Sequence, residues 1–325
     1  LGHQPDLCWF KERGGTEDHH FFDSVRGAGV RFNTNGNAAS NADGADRRLL
    51  SFDSDGFSLD GSVGELNADT RTFAAWNWKA GSTAVSNTDG SITSSVSANT
   101  EAGFSIVSFA VPASGTFTTG HGLGTKPAMI ITKGRDSADN WVVYHKAISS
   151  LNEDVYLQLN SNNATGTATD IWGTAQPTST VMGMKAGTTL LANQEAIAYC
   201  FAEVEGYSKT GSYTGNGNAD GTFVYTGFRP AWIMVKRSSA TSSASGWFIA
   251  DNARNISNVV DNKLDASSSQ EENDAATIGA SGSNDFDFLS NGFKPRATNA
   301  GTNSSGNTYI YMAFAEMPFK YANAR

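Results

Sequence analysis

Cysteine is scarce in this chain, and long apolar runs are missing from it. Only two of the 325 residues are cysteine, Cys8 and Cys200, and both lie in apolar, strand-like stretches where a thiol behaves as a small buried hydrophobe. We therefore expect both thiols to be reduced, and no Cys/His spacing suggests zinc. No apolar run reaches the roughly 20 residues of a membrane span, and no basic segment followed by an apolar one forms a signal at the N-terminus.

Charge is also sparse, at 17% of residues, and the 23 basic side chains are scattered along the sequence. A net charge of -9 would repel nucleic acid and anionic lipid, so we expect neither as a partner and no membrane insertion. Gly, Ser, Thr, Asn and Asp are abundant instead, which favours turn-rich sheet over long helices. With 39% hydrophobic and 11% aromatic residues, the chain can build a core in each of two or three domains.

One sequence motif, called the repeated phrase below, occurs three times. It reads LGHQPDLCWFKER at 1–13, LGTKPAMIITKGR at 123–135 and TGFRPAWIMVKR at 226–237. Three further strand-like pieces follow each copy in the same order: HHFFDSVRG, SDGFSL and TFAAWNWKA, then NWVVYHKAI, STVMGM and EAIAYCFAE, then GWFIADNAR, SNGFKP and TYIYMAFAE. This order predicts three copies of one domain.

The repeated pieces are short, rich in β-branched and aromatic residues, and bounded by Gly, Asn, Asp or Ser, which is typical of β-strands joined by turns. A unit of about 100 residues with many short strands must bury one sheet face against another. We therefore predict an all-β chain of three tandem antiparallel β-sandwich domains, jelly-roll or lectin-like. The expected ranges are 1–81, 101–205 and 206–325, with 82–100 as a linker or an exposed β-ribbon.

The first copy begins abruptly. Residues 103–127 and 206–230 each carry a further strand-like piece before the proline of the phrase, whereas only four residues precede Pro5. We expect the first domain to lack its N-terminal strands. Three explanations are open: the strand pair was lost, it lies upstream of Leu1, or a neighbouring chain supplies it, since an open sheet edge is prone to pairing.

Few residues suggest chemistry. The run Glu17, Asp18, His19 and His20 resembles a metal or acid/base cluster, but neighbours in a strand face opposite sides and the other copies lack the His pair. We interpret it as a solvated loop that enters a strand. His145 aligns with Asp23 and Asp251, which indicates a turn contact rather than a catalytic base.

Two sets of carboxylates are candidates for a site. Asp53, Asp55 and Asp60 are spaced like calcium ligands, but the third copy keeps the turn without the surrounding acids, so a hairpin turn is the favoured interpretation. Asp285 and Asp287 could flank a glycosidic bond, but two carboxylates are a weak signal. Motifs of serine hydrolases, nucleotide-binding loops and zinc proteases are absent from the sequence, and we predict no catalytic residue, metal or cofactor.

Two groups of side chains could contact a sugar. The repeated phrase ends in Lys11 and Arg13, Lys133 and Arg135, and Lys236 and Arg237, which could hold an acidic sugar or a neighbouring carboxylate; structural use is favoured. Trp141, Trp172 and Trp247 could stack on sugar rings or fill cores, and they are the predicted ligand-binding residues.

The residues 208–237, 287–296 and 308–325 together resemble a domain family of unknown function that is common in structural proteins of tailed bacteriophages, marine ones especially. FDSVRGAG and SDGFSL in the first copy resemble the same family. The resemblance implies a tail fibre or other component of the virion exterior, often found beside lectin-like domains. It brings no catalytic residues.

The sequence thus leads to the hypothesis of a non-enzymatic tail fibre or appendage that attaches to glycans on the host surface. It is expected to contact other virion proteins and to form homo-oligomers, most simply trimers, because weak sites gain avidity by repetition. The alternatives are a head fibre or decoration protein on the capsid, and an enzyme that degrades surface polysaccharide.

Overall fold

The computed structural model describes residues 1–42, 49–61, 64–149, 154–188, 190–242, 244–273 and 285–317. Over these ranges the chain is all-β, with antiparallel sheets and a single four-residue helix, α1, at Lys146–Ser149. Its residues form two compact units: the first contains 1–160 and 167–202, and the second contains 161–166 and 203–325. The all-β prediction is confirmed.

The first unit begins with a five-stranded and a two-stranded sheet. Their strands are β1 (Leu7–Glu12), β2 (His20–Asp23), β3 (Val30–Asn33), β4 (Asn41–Ala42), β5 (Leu49–Asp53), β6 (Gly56–Leu59) and β7 (Phe73–Trp78). The larger sheet has the order β4-β3-β2-β1-β7, and β5 pairs with β6. The core between them contains Cys8, Phe10, Phe22, Leu49 and Leu66.

An eight-stranded sheet and a second two-stranded sheet follow. Their strands are β8 (Val85–Asn87), β9 (Ser94–Asn99), β10 (Phe104–Ala110), β11 (Thr116–Gly120), β12 (Met129–Gly134), β13 (Val142–His145), β14 (Val155–Gln158), β15 (Gly166–Thr167), β16 (Val181–Lys185) and β17 (Glu195–Phe201). The large sheet has the order β15-β14-β13-β12-β17-β10-β9-β8, and β11 pairs with β16.

The second unit contains a five-stranded and a three-stranded sheet. Their strands are β18 (Ser208–Thr214), β19 (Val224–Tyr225), β20 (Pro230–Arg237), β21 (Trp247–Asp251), β22 (Lys263–Asp265), β23 (Phe286–Leu289), β24 (Gly292–Pro295) and β25 (Thr308–Ala315). The orders are β18-β25-β20-β21-β22 and β19-β24-β23. Ile233, Val235, Phe288 and Phe293 are part of the core of this unit.

Both faces of the central strands are buried, which explains their nearly continuous apolar sequences. All six residues of β1, LCWFKE, are buried, and so are all six of β12, MIITKG. Alternate side chains of a strand point to opposite faces. Cys8 and Phe10 therefore face the β5–β6 sheet, while Trp9 and Lys11 point the other way.

A row of aromatic rings crosses the five-stranded sheet on this second face. Trp76, Trp9, Phe21 and Phe32 lie directly opposite one another on β7, β1, β2 and β3. The Trp9 ring centroid is 5.6 Å from that of Trp76 and 5.2 Å from that of Phe21, both edge to face. Such pairs stabilise a sheet beyond the area they bury.

The aromatic row packs against the eight-stranded sheet of the same unit. The Phe21 ring lies 4.8 Å from Tyr199 and 5.6 Å from Trp141, measured between ring centroids. Polar atoms cross the same interface: Trp141 Nε1 donates to the carbonyl of Asn33 at 3.0 Å, and the Tyr199 hydroxyl donates to Asp23 at 2.6 Å. The five-stranded and eight-stranded sheets of the first unit thus share a buried face.

The segment 82–100 is a β-ribbon. Its strands β8 and β9 pair with each other, and β9 also pairs with β10 along six residue pairs. Val96 contributes to the core of the sheet. Residues 82–100 therefore add two strands to the eight-stranded sheet, and in β9 the side chain of Ser95 is exposed while that of Val96 is buried.

We expect the Tyr199→Phe substitution to destabilise the first unit by about 1 to 2 kcal/mol, because it removes a hydrogen bond to a buried carboxylate. Urea unfolding of the chain measures this change. Tyr156→Phe, at a partly buried tyrosine in the same unit, is the control and should leave the midpoint nearly unchanged. Equal midpoints for the wild type and Tyr199→Phe would contradict the assigned role.

Candidate functional site

The repeated lysines are structural. All three are fully buried, and each ammonium donates to the carbonyl of the last residue of its own strand and to a carbonyl in the loop that follows. The bonds are Lys11 to Glu12 and Gly15 at 2.7 and 2.8 Å, Lys133 to Gly134 and Ser137 at 2.8 and 3.3 Å, and Lys236 to Arg237 and Ser245 at 3.1 and 2.5 Å. These lysines fasten the loop that follows the strand and offer no surface charge to an acidic sugar.

The aligned polar residues at the end of the next strand cap a turn, as the sequence indicated. Asp23 accepts hydrogen bonds from the amide and the guanidinium of Arg26, at 2.8 and 2.5 Å. Asp251 accepts the same two bonds from Arg254, at 2.9 and 2.7 Å. His145 accepts a hydrogen bond from the amide of Ala147 at 3.2 Å. The shared polarity of this position therefore serves the turn.

The His pair differs from the expected solvated loop. His19 and His20 are both fully buried. Nδ1 of His19 accepts a hydrogen bond from Trp9 at 2.9 Å, and Nδ1 of His20 lies 2.7 Å from the guanidinium of Arg31. Their imidazoles serve different partners because neighbouring strand residues face opposite sides, and the described residues contain no group of three or more metal-ligating side chains.

The acidic candidates are turn residues and ion pairs. Asp53 accepts hydrogen bonds from Ser51 and Ser58 at 2.7 Å each, within the β5–β6 hairpin. Both hydrogen bonds lower the pKa of Asp53, and the bond from Ser58 has the larger effect. Asp285 pairs with Lys263 at 2.7 Å. Asp53 is therefore a residue of the β5–β6 hairpin, in agreement with the hairpin-turn interpretation of the Asp-Gly pair.

The remaining carboxylates of the two candidate sets are Asp287, Asp55 and Asp60. Asp287 pairs with Arg296 at 3.4 Å. Asp55 lies in the turn between β5 and β6, and its carbonyl accepts a hydrogen bond from the N-terminal amine of Leu1 at 2.8 Å. Asp60 follows β6 directly.

The three tryptophans chosen as sugar-stacking candidates lie in the interior. Trp141, Trp172 and Trp247 are at most 1% exposed. The Trp172 ring packs edge to face on Tyr144 at 5.5 Å, and its Nε1 donates to the carbonyl of Val155. The core alternative is what the structure shows, because sheet packing covers rings that the sequence alone could not place.

A groove in the second unit is the candidate site. It has a volume of about 520 Å³ and is lined by Glu203, Glu205, Gly206, Ser208, Lys209, Tyr225, Thr226 and Gly227. Tyr225 is 64% exposed and Phe223, two residues earlier, is 45% exposed. Between them, Val224 points into the core. The edge strand β19 thus presents two aromatic rings to solvent beside a polar groove.

Local hydrogen bonds fix both walls of this groove. On one wall the amides of Tyr207 and Ser208 donate to the carbonyl of Val204, at 3.0 and 2.9 Å. On the other, the amides of Thr226 and Gly227 donate to the carbonyl of Asn291, at 3.0 and 3.1 Å. The chain can make this second turn because Gly227 adopts φ +87°, a conformation that side chains disfavour. The groove is therefore preformed.

The groove combines an aromatic face with groups of both charges. One oxygen of Glu203 accepts hydrogen bonds from the amide and hydroxyl of Thr210, at 2.9 and 3.1 Å, and lies 3.6 Å from the ammonium of Lys209. Burial, with a smaller contribution from Glu203, raises the pKa of Tyr311 to about 12. Carboxylates accept hydrogen bonds from sugar hydroxyls, and a tyrosine ring offers an apolar stacking face.

Sequence reasoning missed this site, although one signal was present. In the stretch TFVYTG, aromatic residues at 223 and 225 flank a valine, so they share the face opposite to it. An apolar residue on one face and two aromatics on the other suggest either a strand buried on both sides or an exposed aromatic edge. The tertiary structure shows that β19 lies at the edge of its sheet, so the two aromatic rings form an exposed edge.

A family model described as "Domain of unknown function (DUF7483)" matches residues 1–318, and the chain belongs to this family. The match extends across all three copies of the repeated phrase. Searches of curated proteins and of solved structures found no match to the chain. Within the described residues, no helix has the length and apolar character needed to cross a membrane.

The buried lysines predict how stability depends on pH. Burial lowers the pKa of Lys236 to about 7 and that of Lys133 to about 8, from 10.5. Between pH 7 and pH 9 the unfolded chain therefore holds more protons than the folded chain, so the free energy of unfolding rises with pH. We expect a slope for Lys236 of about 1 kcal/mol per pH unit, which denaturant unfolding at several pH values measures.

The Lys236→Met variant supplies the comparison. Methionine keeps the apolar stem and removes the titrating group, so the pH slope of the second unit should flatten over this range. Lys209→Met, at a partly exposed lysine of the same unit, should retain the wild-type slope. A Lys236→Met variant with an unchanged slope would show that this ammonium does not titrate as described.

Proposed function

We propose that this member of the DUF7483 family is a non-enzymatic structural component of a bacteriophage virion. In this proposal it lies on the particle exterior, as a tail fibre or appendage, contacts other virion proteins and attaches to glycans on the host surface. Two observations support it: the resemblance of residues 208–237 and 308–325 to structural proteins of tailed phages, and the groove beside Tyr225.

The groove is the observation that carries the attachment role. A sugar ring has apolar C–H faces and a rim of hydroxyl groups, so a binding site needs an aromatic plane together with hydrogen-bond donors and acceptors. Tyr225 supplies the plane, Glu203 and Glu205 supply acceptors, and Lys209 and Ser208 supply donors. Only modest affinity is expected from a site with one stacking ring, which is why repetition by oligomers matters.

The finer architecture is part of the proposal. We regard the chain as three tandem copies of one β-sandwich of jelly-roll or lectin-like type, the first without its opening strands. The equivalent hydrogen bonds of Lys11, Lys133 and Lys236 support this view, as do the matching turn caps of Asp23 and Asp251. A homotrimer of such chains would present several weak grooves at once.

The same groove contains two carboxylates, so polysaccharide hydrolysis is the alternative function. Glu203 and Glu205 are two residues apart, and Glu203 is already hydrogen-bonded to Thr210 and close to Lys209. A general acid must donate a proton to the leaving group, and the Glu203 oxygen that accepts two hydrogen bonds from Thr210 is not placed to do so. We therefore favour binding without turnover. The proposed location is the tail, and a head fibre or decoration protein on the capsid is the alternative.

We expect the wild type to bind a subset of bacterial surface polysaccharides in a glycan array, and Tyr225→Ala to weaken that binding by about tenfold or more through loss of the stacking face. Tyr225→Trp should retain it. Leu50→Ala, at an exposed apolar residue of the other unit, is the matched control. Binding that is equal in all variants would exclude this groove.

Two further measurements separate the alternatives. Incubation of the chain with each bound polysaccharide should release no reducing ends, and release that disappears in Glu205→Gln would establish the enzyme instead. Mass measurement in solution should show an oligomer. A monomer at all concentrations would count against a fibre.

A further inference from the structure

The outer face of the three-stranded sheet in the second unit continues past the groove. Val224 on β19 and Phe293 on β24 lie opposite each other and belong to the core. Because side chains alternate along a strand, Tyr225, Gly292 and the residue that precedes β19, Phe223, lie on the other face. Phe223 lies outside the lining of the groove. A second aromatic ring thus extends the exposed face beyond the groove.

Both exposed aromatic side chains lie against glycine. A side-chain carbon placed on Gly292 would lie 3.0 Å from Cε2 and from Cζ of Phe223. One placed on Gly227 would lie 3.6 Å from the hydroxyl oxygen of Tyr225. The two aromatic residues still keep 45% and 64% of their surface exposed. Each ring therefore has backbone on one side and solvent on another.

The two rings follow one another along the edge of the sheet. Alternate residues of a strand are about 7 Å apart, and β19 is the last strand of its sheet. The Phe223 ring reaches Gly292, which is the partner of Tyr225 on β24. The Tyr225 side chain reaches Gly227 in turn, so both side chains extend in the same direction. A ligand that stacks on both rings must therefore extend along β19.

Charged side chains continue the same outer face. Lys294 on β24 and Arg296, just after the strand, both donate to the carboxylate of Asp220, the guanidinium at 3.1 Å. Arg296 also lies 3.4 Å from Asp287, which is opposite Lys294 on β23. The hydrogen bond and the charge of Lys294 lower the pKa of Asp220. This carboxylate is therefore ionised at neutral pH, and 74% of its side chain is exposed.

The loop that carries Asp220 is held by its own hydrogen bonds. The amide of Asp220 donates to Oδ1 of Asn218 at 2.8 Å, and its carbonyl accepts a hydrogen bond from Nδ2 of Asn216 at 2.9 Å. The amide of Gly221 donates to the carbonyl of Pro295 at 3.2 Å, which ties the loop to the end of β24. The polar side of this face is therefore preformed, as the groove is.

The charges on this face balance one another. The cations Lys294 and Arg296 are matched by the carboxylates Asp220 and Asp287. The face therefore supplies hydrogen-bond donors and acceptors without an excess of either sign, and sugar hydroxyls can use both kinds of group. An aromatic ring beside such groups repeats, one step along the strand, the combination that the groove offers at Tyr225.

We propose that Phe223 is a second stacking platform and that the site binds a linear glycan of at least two sugar residues laid along β19. One sugar ring stacks on Tyr225 in the groove. The next stacks on Phe223, where Lys294, Arg296 and Asp220 bind its hydroxyl groups. This inference rests on the proposed attachment role of the groove and adds the length and the direction of the ligand. The second contact forms at high effective concentration, so it raises the affinity of longer chains.

The test compares glycans of different length. The probes are bacterial O-chain and capsular polysaccharides, cut by mild acid into short fragments from a single sugar residue upward, with binding measured by titration calorimetry. For the wild type we expect the affinity to rise by about tenfold or more from one residue to two or more. Phe223→Ala should remove this gain and leave the binding of the single residue unchanged, whereas Tyr225→Ala should weaken the binding of every fragment.

Two control variants accompany the test. Phe223→Trp keeps an aromatic plane and should retain the gain with length. Ile256→Ala, at a residue of the same unit that is 90% exposed, should behave as the wild type. Because Phe223 is far from fully buried, Phe223→Ala should leave the midpoint of urea unfolding nearly unchanged, so that a lost gain reports on binding and not on folding.

The possible failures are distinguishable. If Phe223→Ala binds every fragment as tightly as the wild type does, the second platform is wrong and the groove at Tyr225 stands. If no polysaccharide binds, or if Tyr225→Ala also has no effect, the attachment role itself fails. If Phe223→Ala converts an oligomer to a monomer in a mass measurement, the ring belongs to an interface between copies of the chain, and this too overturns the inference.

Discussion

The burial of large sheets on both faces is the constraint on which the first unit depends. Once the aromatic row of Trp76, Trp9, Phe21 and Phe32 packs against the eight-stranded sheet, every polar group in the shared layer needs a partner inside the protein. Asp23 accepts hydrogen bonds from Arg26 and Tyr199. Lys133 donates to the carbonyl at the end of its strand, and its ammonium lies 5.2 Å from the ring centroid of Phe32. The buried charges are therefore consequences of sheet packing.

The same constraint restricts where a ligand can bind. Large sheets offer few exposed rings, since their aromatic residues fill the layers on either side. The small sheets have edges, and in the second unit the edge strand β19 exposes Phe223 and Tyr225 while Val224 anchors it to the core. The side chain of Val224 packs in the core, and the Tyr225 side chain next to it therefore stays exposed.

Particular residues show how far sequence reasoning reached. Alternation and turn residues were enough to find the strands around Phe10, Ile131 and Met234 and to equate Asp23 with Asp251, because these patterns depend on the pleat and on local turns. The sequence of 82–100 fits both a linker and an exposed β-ribbon, because Ser and Thr are common in loops and in edge strands. The interior position of His20 was not predicted, and the sequence did not choose between a core role and a stacking role for Trp172, because burial depends on which surface lies above a strand.

By itself the sequence determined the strand periodicity, the order of the repeated pieces, the turn chemistry and the all-β class, since all of these arise from interactions between residues close together in the chain. The tertiary structure alone decided which face each tryptophan occupies, that 82–100 joins a sheet and that Tyr225 borders a groove. These features arise from contacts between segments far apart in the chain, whose pairing no local pattern specifies.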